Sequence, residues 1–126
     1  MNRKITLIDG GMGQELIHRS KIKPDYLWSA RVLLDHYGLV VDLHKDFINS
    51  GAEAITLNSY TITPDRLKKF NLEDSFKPLQ ESAIKAAKEA INSFSKDFSK
   101  PTFPTLRPGT KFFLITSDVS ISFSLA

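Results

Sequence analysis

Ile5-Thr6-Leu7-Ile8-Asp9-Gly10-Gly11-Met12-Gly13 is the stretch on which the fold turns. Its first four residues are β-branched or aliphatic and are stopped by a carboxylate and two glycines. That pattern predicts a short buried strand ending in a tight turn that glycine permits. Met12, Leu16 and Ile17, with Glu15 between them, then fit a short helix from Met12 to His18. Lys21-Ile22-Lys23-Pro24-Asp25 reads as loop, and Leu27 to Leu34 as a weakly marked helix.

Further along, Val40, Leu43, His44, Phe47 and Ile48 recur at helical spacing, and Gly51 falls where a left-handed residue would end that helix. Ala54-Ile55-Thr56-Leu57 is a second apolar run, closed by Asn58-Ser59-Tyr60, and reads as a second buried strand. Thr63-Pro64-Asp65 combines an N-cap residue, a proline at the first helical position and an early carboxylate, which predicts a short helix through Phe70. From Glu73 to Phe94, the positions Phe76, Leu79, Ala83, Ala86, Ala87, Ala90, Ile91 and Phe94 mark one face of a long helix.

After Phe98 the composition changes. Three of the six prolines lie between Pro101 and Pro108, and serines recur from Ser117 to Ser124. Between them Lys111 to Thr116 is apolar, with a third strand expected at Phe112 to Ile115. The alternation of strands with long helical crossovers argues for an α/β fold with parallel pairing, because antiparallel hairpins need only a few connecting residues. The chain divides into residues 1–98, carrying the β/α pattern, and a Pro/Ser-rich tail over 99–126.

With 126 residues, 41% of them hydrophobic, the chain has the size of one small domain with a modest core. Its net charge of +3 is spread along the sequence, which argues against nucleic acid as a partner. The apolar stretch behind the basic start ends at Asp9, too soon for a signal-peptide core or a membrane span, and a cytoplasmic setting is expected. The sequence contains no cysteine, which removes disulfides, thiol nucleophiles and thiolate metal ligands from its own repertoire.

In parallel α/β folds, ligands bind at the carboxyl ends of the strands, where loops and helix N-termini present polar groups. Two loops have that place. Asp9-Gly10-Gly11-Met12-Gly13 couples a carboxylate to glycines that let backbone amides approach a ligand, and Asn58-Ser59-Tyr60-Thr61 sets four hydrogen-bonding side chains in a row. The plain alternative is a tight turn and a capping run. Gly11-x-Gly13 with Asp35 also invites a dinucleotide reading, but that fingerprint's third glycine falls on Leu16 and Asp35 ends no second strand. His18, His36 and His44 share no metal-ligand spacing and read as structural histidines with satisfied nitrogens. Trp28 reads as a core residue unless its loop faces the strand ends.

Four segments in order, Leu7 to Leu16, Leu27-Trp28-Ser29-Ala30, Leu43 to Phe47, and Gly51 to Tyr60 with Thr63-Pro64, closely resemble the homocysteine S-methyltransferases. The likeness covers about Ile5 to Phe94. It implies the first units of a (β/α)₈ TIM barrel, incomplete in this chain. It also implies methyl transfer from a sulfonium donor, S-methylmethionine or S-adenosylmethionine, to homocysteine, giving methionine. In the family a zinc ion held by three cysteines binds the homocysteine sulfur as thiolate, lowering its pKa. Carried over residue by residue, Asp9, Gly10 and Gly11 become substrate contacts, with Met12 adjacent and Asn58 and Tyr60 behind them.

The departures bear equally on function. The zinc cysteines of the resemblance have no counterpart, so no catalytic residue or metal ligand is assigned here, and zinc binding by this chain alone is not expected. The tail over 99–126 lacks the glycine-rich loop that the resemblance implies. Two expectations follow: a truncated or altered reading frame near Lys100, and self-association through unpaired sheet edges. The alternative to an enzyme is an inactive fragment of a homocysteine-binding domain.

Overall fold

The computed structural model describes residues 5–95, 111–115 and 120–124. The order of elements is α1 (Met12–Ser20), α2 (Ser29–Asp35), α3 (Tyr37–Asn49), β1 (Ala54–Thr56), α4 (Pro64–Lys68), a 3-10 turn (Glu73–Ser75), α5 (Phe76–Ser95), β2 (Lys111–Ile115) and β3 (Ser120–Ser124). The result is a mixed α/β arrangement in which helices predominate. Residues 1–4, with the basic Arg3 and Lys4, and the proline-rich segment 101–108 lie outside the described residues.

The helices form where the periodicity places them, and their ends have local causes. The α3 chain is released at Gly51, whose φ of 104° suits glycine and few other residues. Thr63 caps α4, its hydroxyl accepting from the Arg66 N–H at 3.4 Å with Pro64 at the first helical position. Glu73 to Ser75, expected as the start of the long helix, tightens into a 3-10 turn before α5 begins at Phe76.

The core lies among the five helices and β1. Val40, Leu43 and Ile48 of α3, Ile55 of β1, and Ala83, Ala86, Ala87 and Ala90 of α5 are all buried. The alanine stripe lets α5 approach its neighbours closely, while each buried leucine or isoleucine contributes roughly 1.5–3 kcal/mol. His44 is buried among these apolar residues, as its place in the stripe foretold. The expected satisfaction is not found: neither ring nitrogen has a hydrogen-bond partner among the described residues, and burial pushes its pKa down to about 4.

The parallel pairing is present. β1 pairs with β2 in parallel, Ile55 opposite Leu114, across a connection that contains α4 and α5. On its other edge β1 meets the N-terminal segment: Ile8 bridges Ala54 in parallel, Glu53 N–H donates to the Leu7 carbonyl at 2.8 Å, and Asp9 N–H to the Ala54 carbonyl at 3.0 Å. Two sequence expectations change here. Ile5 to Ile8 makes only this single bridge rather than a full strand, and it is not buried, with Ile5 85%, Leu7 53% and Ile8 57% exposed. Its apolar side chains need cover that no described element supplies. The third strand falls at Lys111–Ile115 as expected, but Ser120–Ser124 then pairs with it antiparallel, where only a run of serines had been read.

Candidate functional site

The two loops singled out in the sequence lie together at one end of the strands. The Asp9 carboxylate ends the N-terminal segment and reaches across to the end of β1. One oxygen accepts the Thr56 backbone N–H at 2.7 Å, the other the Thr56 hydroxyl at 2.9 Å. Asp9 is thereby buried, and its burial raises its carboxyl pKa above the ordinary value, against the lowering effect of the Thr56 bonds. An ionised carboxylate offers about four acceptor positions, so two bonds leave it able to take a further donor.

The three glycines that follow do different things. A β-carbon on Gly11 would meet nothing within 4 Å, so that position is open; one on Gly10 would lie 3.2 Å from the Phe47 ring. On Gly13 it would come within 2.6 Å of the Trp28 indole. Gly13 therefore serves the fold by admitting an aromatic ring, and only Gly10 and Gly11 present exposed backbone at the corner. Gly11 also begins α1 without a side-chain cap, so no capping side chain takes up the first amides of that helix, which have no intrahelical acceptor. Met12 is buried beneath it.

The second loop is used differently. Asn58 is buried and its amide donates to the Ser29 carbonyl at 3.0 Å. The Thr61 hydroxyl donates to the Leu27 carbonyl at 2.7 Å and accepts the Ala30 N–H at 3.2 Å. Tyr60, by contrast, is 76% exposed. The loop thus holds Leu27 to Ala30, a turn closed by the Ala30 N–H to Leu27 carbonyl bond at 3.0 Å.

Within that turn Trp28 has φ 50° and ψ −121°, the first central position of a type II′ turn, normally a glycine's place. For a residue with a β-carbon such a conformation costs about 1–3 kcal/mol and persists only where its surroundings impose it. The Trp28 turn is bonded to the loop that follows β1, which is the exception set against reading Trp28 as a core residue. Composition could not have revealed the Leu27–Ala30 turn and Thr61 as partners, since both bonds span more than thirty residues; the polar run 58–61 was the available signal.

A groove of about 840 Å³ lies elsewhere, lined by residues of α3 and α5 such as Lys45, Glu81, Lys85 and Glu89. It includes nothing from either corner, and its mixed charges are those of a solvated helical surface. The strand ends, where the carboxylate, open glycine backbone and indole converge, are the better candidate.

The homocysteine S-methyltransferase family matches the chain over residues 6–123. The chain belongs to that family. Among relatives of the homocysteine S-methyltransferase family, the homocysteine S-methyltransferase of Escherichia coli (strain K12) is 32% identical over 91 residues, covering 71% of this chain and 29% of the relative. Homocysteine S-methyltransferase 2 of Arabidopsis thaliana is 36% identical over 90 residues, 70% of this chain and 27% of the relative. Selenocysteine Se-methyltransferase of Brassica oleracea var. italica is 34% identical over 90 residues, 70% and 26% of the two chains. The chain therefore spans less than a third of the length of these curated relatives. No solved structure gives a significant match.

The zinc site that the resemblance implies can be tested against the donors present. The sequence holds no cysteine, and among the described residues no group of three His, Asp or Glu could take a metal ion. The residues of this chain do not fit a three-thiolate zinc site. Among the described residues no helix is long and apolar enough to cross a membrane.

Proposed function

We propose that this chain supplies the amino-acid-binding corner of homocysteine methyl transfer, within the first β/α units of a TIM barrel carried by residues 1–98, with β2 and β3 of the Pro/Ser-rich segment 99–126 extending the same sheet. The overall reaction would move a methyl group from a sulfonium donor, S-methylmethionine or S-adenosylmethionine, to the homocysteine sulfur, giving methionine. Asp9, Gly10 and Gly11 are the substrate contacts, with Met12 beneath and Asn58 and Tyr60 on the neighbouring loop.

The observation that carries this reading is the Asp9 carboxylate, pinned by Thr56 beside exposed glycine backbone at the strand ends. An amino acid carries an ammonium and a carboxylate. Asp9 offers an anion for the first, and the uncapped start of α1 offers N–H donors for the second. This chain's own part is to bind and orient the substrate. Metal and donor-site groups would come from sequence outside it, in a cytoplasmic setting, and the exposed Ile5–Ile8 edge would promote self-association.

The second reading is a chain that binds homocysteine without turnover, favoured by the lack of any thiolate ligand. Isothermal titration of the purified chain with L-homocysteine tests the shared element. Binding should be saturable, and Asp9→Asn should weaken it by about tenfold or more, as expected for loss of a charged hydrogen-bond partner. Equal affinity in the variant, or no binding by the wild type, sinks the proposal. Methionine formation from S-methylmethionine with added zinc separates enzyme from non-catalytic binder.

A further inference from the structure

We infer that Thr61 is a positioning residue, whose hydroxyl clamps both ends of the Leu27–Ala30 turn and so fixes the Trp28 indole against Gly13 at the rim of the candidate site. The argument starts from the dihedral angles. A tryptophan does not choose φ 50° and ψ −121° for itself. Something must impose the turn, and the bonds identify what does.

The single Thr61 hydroxyl donates to the carbonyl of the turn's first residue, Leu27, and accepts the N–H of its last, Ala30. These two groups are also the pair that closes the turn across itself. Asn58 adds a third tie at the Ser29 carbonyl, from the same loop. Thr61 is 1% exposed and Ser29 2%, so water cannot readily substitute for these partners. With its backbone held, the Trp28 ring lies where Gly13 lacks a side chain. The chain of dependence runs from the end of β1, through Thr61, to an aromatic ring over the first turn of α1.

The consequence is that the loop after β1 shapes the site through another segment. The bearing on substrate rests on the function proposed above, but the clamp itself is a property of the ligand-free chain, and the two fail separately.

Trp28 is the only tryptophan in the sequence, so its fluorescence reports on the clamp without labelling. In the full chain, Thr61→Val keeps the volume and removes the hydroxyl, while Thr61→Ser keeps the hydroxyl. The expected result is wild-type far-UV circular dichroism in both, a severalfold rise in acrylamide quenching of Trp28 in the valine variant, and wild-type quenching in the serine variant. A folded valine variant with unchanged quenching overturns the proposal.

Should the valine variant not fold, the decision passes to NMR of the wild type and the serine variant. Contacts between the Trp28 ring and the Gly13 Hα protons, with a protected Ala30 amide, support the clamp when present in both. Loss of either signal in the serine variant, or its absence from the wild type, overturns it. Addition of L-homocysteine to the same samples tests the substrate reading alone: an unchanged Trp28 signal together with absent binding would remove that reading and leave the clamp standing.

Discussion

The corner at residues 9–13 and the corner at 58–61 lie side by side, yet they spend their polar groups in opposite ways. The first fixes its carboxylate with two bonds to Thr56 and leaves the face where a Gly11 β-carbon would lie open. The second turns Asn58 and Thr61 inward onto Ser29, Leu27 and Ala30. Two loops of similar polarity therefore differ in what remains available to a ligand. The lesson is that a polar run at a strand end reads as a binding loop only after its internal partners have been counted.

The largest effect expected belongs to neither corner and sets the background for comparing them. Burial pushes the His44 pKa down to about 4 from the ordinary 6.5, so between those values the unfolded chain binds a proton that the folded chain refuses. Stability is then retained above the unfolded value and falls with pH through the window, by on the order of 3 kcal/mol. Asp9 opposes it: its folded pKa is raised, so its contribution favours the folded state at the acid end. Urea midpoints at pH 7 and pH 4.5 should differ clearly in the wild type and much less in His44→Leu. An equal drop in the variant would assign the loss elsewhere.

Next in size is Asn58→Ala, which removes the buried side-chain bond to the Ser29 carbonyl and should cost about 1–2 kcal/mol in urea titration. Homocysteine affinity should change less than in Asp9→Asn. A stability loss near zero would break the contrast by showing that the second corner carries no structural burden.

The smallest effect on stability should come from Gly11→Ala. Its φ of −69° suits any residue and its β-carbon meets nothing, so the change should lie within about 0.5 kcal/mol. Its homocysteine affinity should nonetheless fall, because the methyl group occupies the open face. Unchanged binding by calorimetry would move the ligand away from Gly11.

Much of the helical framework was legible because its signals are local. Gly51, the Thr63-Pro64 start and the alanine stripe of α5 each declare a boundary or a face within a few residues. The pairing of Asp9 with Thr56 was legible only as a shared rim, since sequence cannot show which acceptor meets which donor. The exposure of Ile5, Leu7 and Ile8 was not legible, because an apolar run states what a segment would bury and not whether a neighbour arrives. Strand β3 had a usable signal in the alternation Ser120-Ile121-Ser122-Phe123-Ser124, which the emphasis on serine content concealed. The role of Gly13 could not be read at all, since its reason is a ring fifteen positions away.

The N-terminal segment has a thermodynamic consequence for recognition. Among the described residues Asp9 ends a stretch that is bonded along one edge only, so that stretch is the natural place for fraying to begin, and each opening event carries the carboxylate away from Thr56. A ligand that grips Asp9 must first recruit the closed form, and its apparent affinity is reduced by the fraction of time the segment spends open. Reinforcing that edge would tighten binding without adding a single contact to the ligand.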